Sequence, residues 1–325
     1  LGKCYNKIDY KCKTNYTKAI PYANLDKFKY HKVLKKYSLH KVKVSIITVV
    51  RNNEASIAHA IDSVLSQDYP NIEHIVIDGG SDDATVEIIK SYGKKINRFI
   101  SESDEGMYDG MNKGLKLATG NIVGLLNSDD FYEHKQVISE VVEQFIRRKV
   151  DLIFGDIVFV NPQNLGQVIR YYSSAKFHPD LFSWGWIPAH TSCFLKREVY
   201  EKYGYFKTDY QLAADYELLL RFIKIHQISY SYLPQILVRM RPGGASNKNL
   251  LCRWISNREV LKACSEHDIQ TNFFKLLARY PAKLWEKISI NKREVSPQLE
   301  LNPISKFDNS YLISNQVTET SEIKH

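Results

Sequence analysis

The chain has 325 residues, 44% of them apolar and 25% charged, so a sizeable α/β core is affordable and general disorder is excluded. Lys and Arg (45) outnumber Asp and Glu (36), and the formal net charge of +9 suits an anionic ligand, a nucleic acid or an acidic membrane surface without choosing among them. Five scattered cysteines make no CxxC pair or Cys/His cluster, which argues against zinc and fits a reducing cytosol, and no apolar run is long enough for a transmembrane helix or the core of a signal peptide.

Residues 1–41 are basic, Tyr-rich and poorly periodic, and read as an N-terminal arm. The β-branched run Val42–Val50 predicts a central buried strand, followed by Arg51-Asn52-Asn53-Glu54 and an amphipathic helix over 56–66. Strand 72–77 ends in Asp78-Gly79-Gly80-Ser81-Asp82-Asp83 and leads into a helix over 84–92. A shorter strand over 97–102, a helix over 107–118 and a fourth strand over 122–126 complete the alternation. Strand and helix alternating through short loops predict a mostly parallel, Rossmann-like sheet with right-handed crossovers.

The second half reads as a smaller acceptor-side subregion. It contains a helix up to Arg148 starting as early as Glu133, strand 151–160 with a hairpin partner at 167–172, and an aromatic loop Trp184-Gly185-Trp186 running into a strand. A short helix over 197–203, a longer one over 215–226, a strand over 228–240 broken at Pro234, and a glycine loop from Arg241 to Ser246 follow. The organisation expected is an arm (1–41), a catalytic domain (42–250, divided at 130 into nucleotide-binding and acceptor halves), a C-terminal helical extension (251–292) and a polar tail (293–325). Over 273–288, Lys275, Arg279, Lys283 and Lys287 interleave with apolar residues; this suits either an interfacial membrane helix or a solvated helix packed on one side.

Three strand ends carry polar clusters, and in a doubly wound sheet such ends converge on one crevice. Asn127-Ser128-Asp129-Asp130 closes the fourth strand; paired carboxylates there suit Mg²⁺ or Mn²⁺, although a polar turn or a helix cap would use the same residues. An ionised Asp78 can accept hydrogen bonds from a base or ribose, or cap its own turn. Arg51 suits a phosphate or a stacked base. Trp184 and Trp186 are candidates for an acceptor platform, and Arg241 with the loop to Ser246 for closure over a diphosphate.

Ser45-Ile46-Ile47-Thr48-Val49-Val50-Arg51-Asn52, the Asp78–Asp83 run, the run Ser101–Gly114 and Asn127-Ser128-Asp129-Asp130 together resemble the GT-A glycosyltransferases of family 2, in order and in spacing. The Ser101–Gly114 run is most similar to a branch that builds bacterial exopolysaccharide, capsule or lipid-linked oligosaccharide. The resemblance covers 42 to about 246 and implies a GT-A fold, a nucleotide-sugar donor and inversion at the anomeric carbon. It implies Asp78 at the base, Asp129 near the ribose, and Asp130 on the Mn²⁺ or Mg²⁺, with Asn127 standing where some members carry a further Asp. It also implies His190 lining the cleft, and Asp104, Asp109, Asn112 and Lys113 shaping the sugar side of the pocket.

Such a transferase needs a carboxylate to take the proton of the acceptor hydroxyl. Asp215, at the start of a helix, resembles that position; Glu217, two residues on, points to a different side. The expected acceptor is a glycan or lipid-linked glycan, and the expected location is cytoplasmic, with peripheral contact at the inner membrane face through the basic C-terminal helix; no nucleic acid is expected. Two other readings stand beside this one. A sugar nucleotidyltransferase would carry glycine in the loop after the first strand, which Arg51-Asn52-Asn53-Glu54 lacks, and a non-catalytic glycan- or nucleic-acid-binding module would bind regardless of chelators.

Overall fold

A computed structural model describes residues 42–243 and 250–278. The N-terminal arm, Ser246 and the chain from 279 onward, which includes most of the basic helix expected over 273–288 and the polar tail, lie outside the described residues.

The first half alternates as the periodicity requires: β1 (Val44–Val50), α1 (Ile57–Leu65), β2 (Ile72–Asp78), α2 (Thr85–Ser91), β3 (Arg98–Ser101), α3 (Met107–Leu117) and β4 (Ile122–Leu125). β1 pairs in parallel with β2 and β4, and β2 with β3. The period of two along each strand sorts side chains between the faces. Ile47, Ile75 and Ile77 share a core with Tyr108, Met111 and Leu115 of α3, whereas Val50 and Val76 meet Ile57 and Ile61 of α1 and Ile89 of α2. Burial on both faces explains why β1 is β-branched and mostly apolar, its two polar residues, Ser45 and Thr48, being paired with Glu73 and His74 on β2.

The second half supplies β5 (Phe131–Tyr132), α4 (Val137–Arg148), β6 (Leu152–Asn161), β7 (Asn164–Tyr172), β8 (Cys193–Lys196), α5 (Arg197–Tyr203), α6 (Ala214–Leu220), β9 (Tyr230–Met240), α7 (Leu250–Glu266) and α8 (Phe273–Leu277). Strand order is β3-β2-β1-β4-β8-β6-β9-β5, with β7 on β6. β8 runs antiparallel to both β4 and β6, joining the two halves into one mostly parallel sheet. Val260, Ala263 and Cys264 of α7 lie in the same core as Leu218 and Leu219 of α6.

Three elements differ from the sequence expectation. The helix expected from Glu133 starts at Val137, because Phe131–Tyr132 pairs with Val238 and Arg239 and Glu133 is held by Arg239 at 2.6 Å. Strand β9 runs through Pro234: the proline sits exposed where the register against β6 shifts, so its missing N–H removes no ladder bond. The helix carrying Asp215 is α-helical only to Leu220 and closes through a wider turn over Arg221–Ile225, where the His226 N–H bonds the Arg221 carbonyl at 2.9 Å. Among the described residues no helix is long and apolar enough to cross a membrane.

Candidate active site

The C-terminal ends of β1, β2 and β4 adjoin, as their register requires: Val50 lies opposite Asp78, and Ile47 opposite Leu125. The loops leaving them are tied to one another. The Asn52 N–H donates to Ser81 Oγ (2.8 Å), the Asp82 N–H to Asn52 Oδ1 (2.9 Å), and Asn53 Nδ2 to Ser128 Oγ (2.8 Å). Arg51 is exposed at this edge.

Asp78 is fully buried and accepts from the backbone N–H groups of Gly80 (3.2 Å) and Ser81 (3.1 Å), from Ser101 Oγ (2.7 Å) and from the Ser81 hydroxyl. It therefore fixes its own turn, in which Gly80 takes a φ of 77° that glycine tolerates best. The Asp104 carboxylate lies against Gly79 and Gly110; a Cβ at Gly79 would stand 2.5 Å from Asp104 Oδ2. Asn112 is turned inward, its amide exchanging two bonds with the backbone of Phe206 (2.8 and 3.0 Å). Lys113 pairs with Glu102 (2.9 Å) and Asp109 (3.3 Å), and donates to the Ser103 carbonyl (3.2 Å).

Asp130 is fully buried; its Oδ2 accepts from Asn127 Nδ2 at 3.1 Å, while Oδ1 is buried with no hydrogen-bond partner among the described residues. Burial, reinforced by the neighbouring charge of Asp129, holds its pKa well above the carboxylate range, against the pull of Asn127 and Arg241. Asp129 is also raised, by burial, with its own backbone N–H, Arg241 and His190 opposing. Two adjacent carboxylates, one with an orphaned buried oxygen, are a hard-oxygen donor set that a divalent cation fits. Arg241 donates to the Asp129 carbonyl and, through Nη2, to His59 Nδ1 at 2.6 Å, with its guanidinium over the Phe131 ring.

His190 links the two sides of the site. Its Nδ1 lies 3.2 Å from Asp215 Oδ2, and its turn, His190–Ser192, packs against β4 and β9, the strands that lead to the acid pair and to Arg241. Glu217 is buried elsewhere, contacting Arg221 (3.0 Å), His267 (2.9 Å) and Lys207 (3.2 Å); these bonds overcome its burial and hold its pKa below the ordinary value. Trp186 stacks on Tyr172 at 6.2 Å between centroids, and Trp184 is exposed beneath the Lys275 ammonium. The structure thus brings Asp129, Asp130, Arg241, His190 and Asp215 together, and Asp78, Asp104 and Lys113 onto the β2 and α3 side. Sequence reasoning singled out none of His59, Asn53 and Tyr108, the last a buried phenol in one core with Ala214. Nothing in the spacing marks His59; Asn53 lies in the Arg51–Glu54 strand-end run and Tyr108 inside the Ser101–Gly114 run.

Residues 45–204 match the family described as glycosyl transferase family 2, a span that takes in every strand end above and stops short of Asp215. An uncharacterized glycosyltransferase of Mycobacterium tuberculosis is 31% identical over 181 residues, covering 55% of this chain and 68% of its own length. Among solved structures, TarS of S. aureus superposes with a TM-score of 0.52 at 20% identity, over 67% of this chain, which spans only 39% of TarS. The mannosyltransferase PcManGT of Pyrobaculum calidifontis, solved with GDP-Man and Mn²⁺, gives 0.53 at 18% identity over 76% of this chain and 74% of its own. These comparisons set aside the nucleotidyltransferase and binding-module readings. An enzyme with the GT-A sheet and a cluster of acids where that sheet's strands end, the chain belongs to glycosyl transferase family 2.

Proposed function

We propose that the enzyme is an inverting, metal-dependent glycosyltransferase that moves a sugar from a nucleoside-diphosphate donor to a hydroxyl of a glycan or lipid-linked glycan in cell-surface polysaccharide synthesis. The observation that carries the reading is His190, whose Nδ1 lies 3.2 Å from Asp215 Oδ2 and whose turn packs against β4, the strand that leads into the acid pair. Asp130, with Asp129 beside it, would hold Mn²⁺ or Mg²⁺. A cation bound there would supply positive charge to the leaving diphosphate.

The chain's own residues do the rest. Asp78 and Arg51 receive the nucleotide, with Asp78 exchanging part of its turn bonding for the base. Asp104 and Lys113 border the sugar. Asn112 supports that wall through its clamp on Phe206. Arg241, fixed on the Asp129 carbonyl, adds charge beside the diphosphate. Trp186 and its stacked Tyr172 offer an aromatic face to the acceptor. Asp215 takes the proton of the acceptor hydroxyl as its oxygen attacks the anomeric carbon opposite the departing diphosphate; His190 occupies one carboxylate oxygen and leaves the other for that proton.

Thermal denaturation tests the donor site. Nucleoside diphosphate with Mn²⁺ should raise Tm in the wild type, since a ligand of the folded state stabilises it, and the gain should vanish in Asp130→Asn. Equal gains in both proteins contradict the assignment.

Peripheral membrane contact is part of the same reading. Phe273, Phe274 (81% exposed) and Leu277 are exposed on α8, whose Lys275 lies over the exposed Trp184 ring, an apolar and basic combination of the kind that inserts at an anionic interface. The protein should co-sediment with phosphatidylglycerol-containing vesicles and less so as Phe274→Ser; indifference to vesicles contradicts it.

A further inference from the structure

Asp215 is the second residue of α6, a helix that opens without a capping group of its own: Ala213 stands at the N-cap, where an alanine side chain has nothing to accept with. The amides that lead into it are received instead by a side chain from a distant part of the chain. Glu259, on α7, accepts from the backbone N–H groups of Gln211 (2.7 Å), Leu212 (2.8 Å) and Ala213 (2.9 Å). Tyr108, buried on the first turn of α3, shares a core with Ala213, Ala214 and Tyr216. Three consecutive amides, ending two residues before Asp215, are held by one carboxylate.

We propose that Glu259 is a positioning residue for Asp215, fixing the backbone from which its carboxylate reaches the acceptor. The proposal rests on the reading of Asp215 as the base. An α-helix this short is not rigid on its own, so an anchor on the residues that lead into it sets where its first turn stands. Tyr108 shares the core beneath that turn and follows the loop that presents Asp104 to Gly79 and Gly110, so α6 is packed toward the donor side of the site as well. Glu259 does not touch the reacting atoms; it acts through the backbone that enters α6.

The test compares Glu259→Gln and Glu259→Asp with Asp215→Asn and the wild type. Its probe is the nucleotide sugar, from a panel of UDP-, GDP- and dTDP-sugars, that the wild type hydrolyses fastest with Mn²⁺. A displaced base costs turnover without costing donor affinity, because geometry errors of about 1 Å lower rates by about 10²-fold. Glu259→Gln should lose about 10- to 100-fold in kcat, with donor KM and Tm close to wild type. If it folds and turns over at the wild-type rate while Asp215→Asn is inactive, positioning is refuted and the base stands. If Asp215→Asn retains full rate, the base assignment falls and this proposal with it. An increase in donor KM that matches the rate loss would also overturn it, as a general loosening of the site. Should Glu259→Gln fail to fold, Glu259→Asp, which keeps the charge and shortens the reach, decides the matter by the same readouts.

Discussion

Asp130 and Asp215 ask for opposite things of their surroundings. Asp130 is sealed among protein atoms with an oxygen left unbonded, a costly state that positive charge would relieve. Asp215 keeps some exposure and pairs with His190 through one carboxylate oxygen, as a group that must meet an incoming hydroxyl requires. Asp215→Asn preserves shape and removes the proton acceptor. It should leave donor binding intact and lower transfer by about 10²–10⁴-fold, read as single-turnover sugar release. An unchanged rate moves the base to another residue. Glu217 is a poor substitute, because its carboxylate is saturated by Arg221, His267 and Lys207.

At the scale of elements, helix α4 carries a testable electrostatic cost. Burial, then the charges of Asp68 and Glu143, push the Glu140 carboxyl up to about 7, and its Oε2 has no hydrogen-bond partner among the described residues. The folded pKa lies above the ordinary value of 4.5, so the folded state binds the extra proton. The resulting stability is fully present below about pH 4.5 and is lost as pH rises through about 7. Glu140→Gln should therefore raise Tm at pH 8 and change it little at pH 5, measured by differential scanning fluorimetry; the same shift at both values contradicts this. Elements of this kind show what was legible beforehand. The parallel half could be read because β1, β2 and β4 are buried on both faces and separated by short amphipathic helices, which leaves one topology. The late start of α4 and the passage of β9 through Pro234 could not, because partners 106 residues apart, Glu133 and Arg239, and a register shift decide them. Local propensity carries no record of such pairings.

Across the whole molecule, the same division holds for the site. Acids at strand ends announced themselves, since Asp78, Asp129 and Asp130 follow apolar runs. Their supports did not: Arg241 meets His59 across 182 positions, Asn53 meets Ser128 across 75, and Glu259 reaches Ala213 across 46. Asn112 is one of the residues implied by resemblance whose side chain the fold spends on its own backbone. A second group of candidate metal ligands, Glu217, Glu266 and His267, has ligand atoms within 4.8 Å of one another, but Lys207 and Arg221 already balance its charge. The two acidic centres can therefore be told apart by where a metal goes. Anomalous diffraction from a crystal grown with Mn²⁺ and a nucleoside diphosphate locates the ion directly. The expected result is a single strong peak coordinated by the Asp130 carboxylate, on the side of the site that faces Asp215; a peak at the Glu217 group, or none at Asp130, would contradict the metal-assisted transfer proposed for this enzyme.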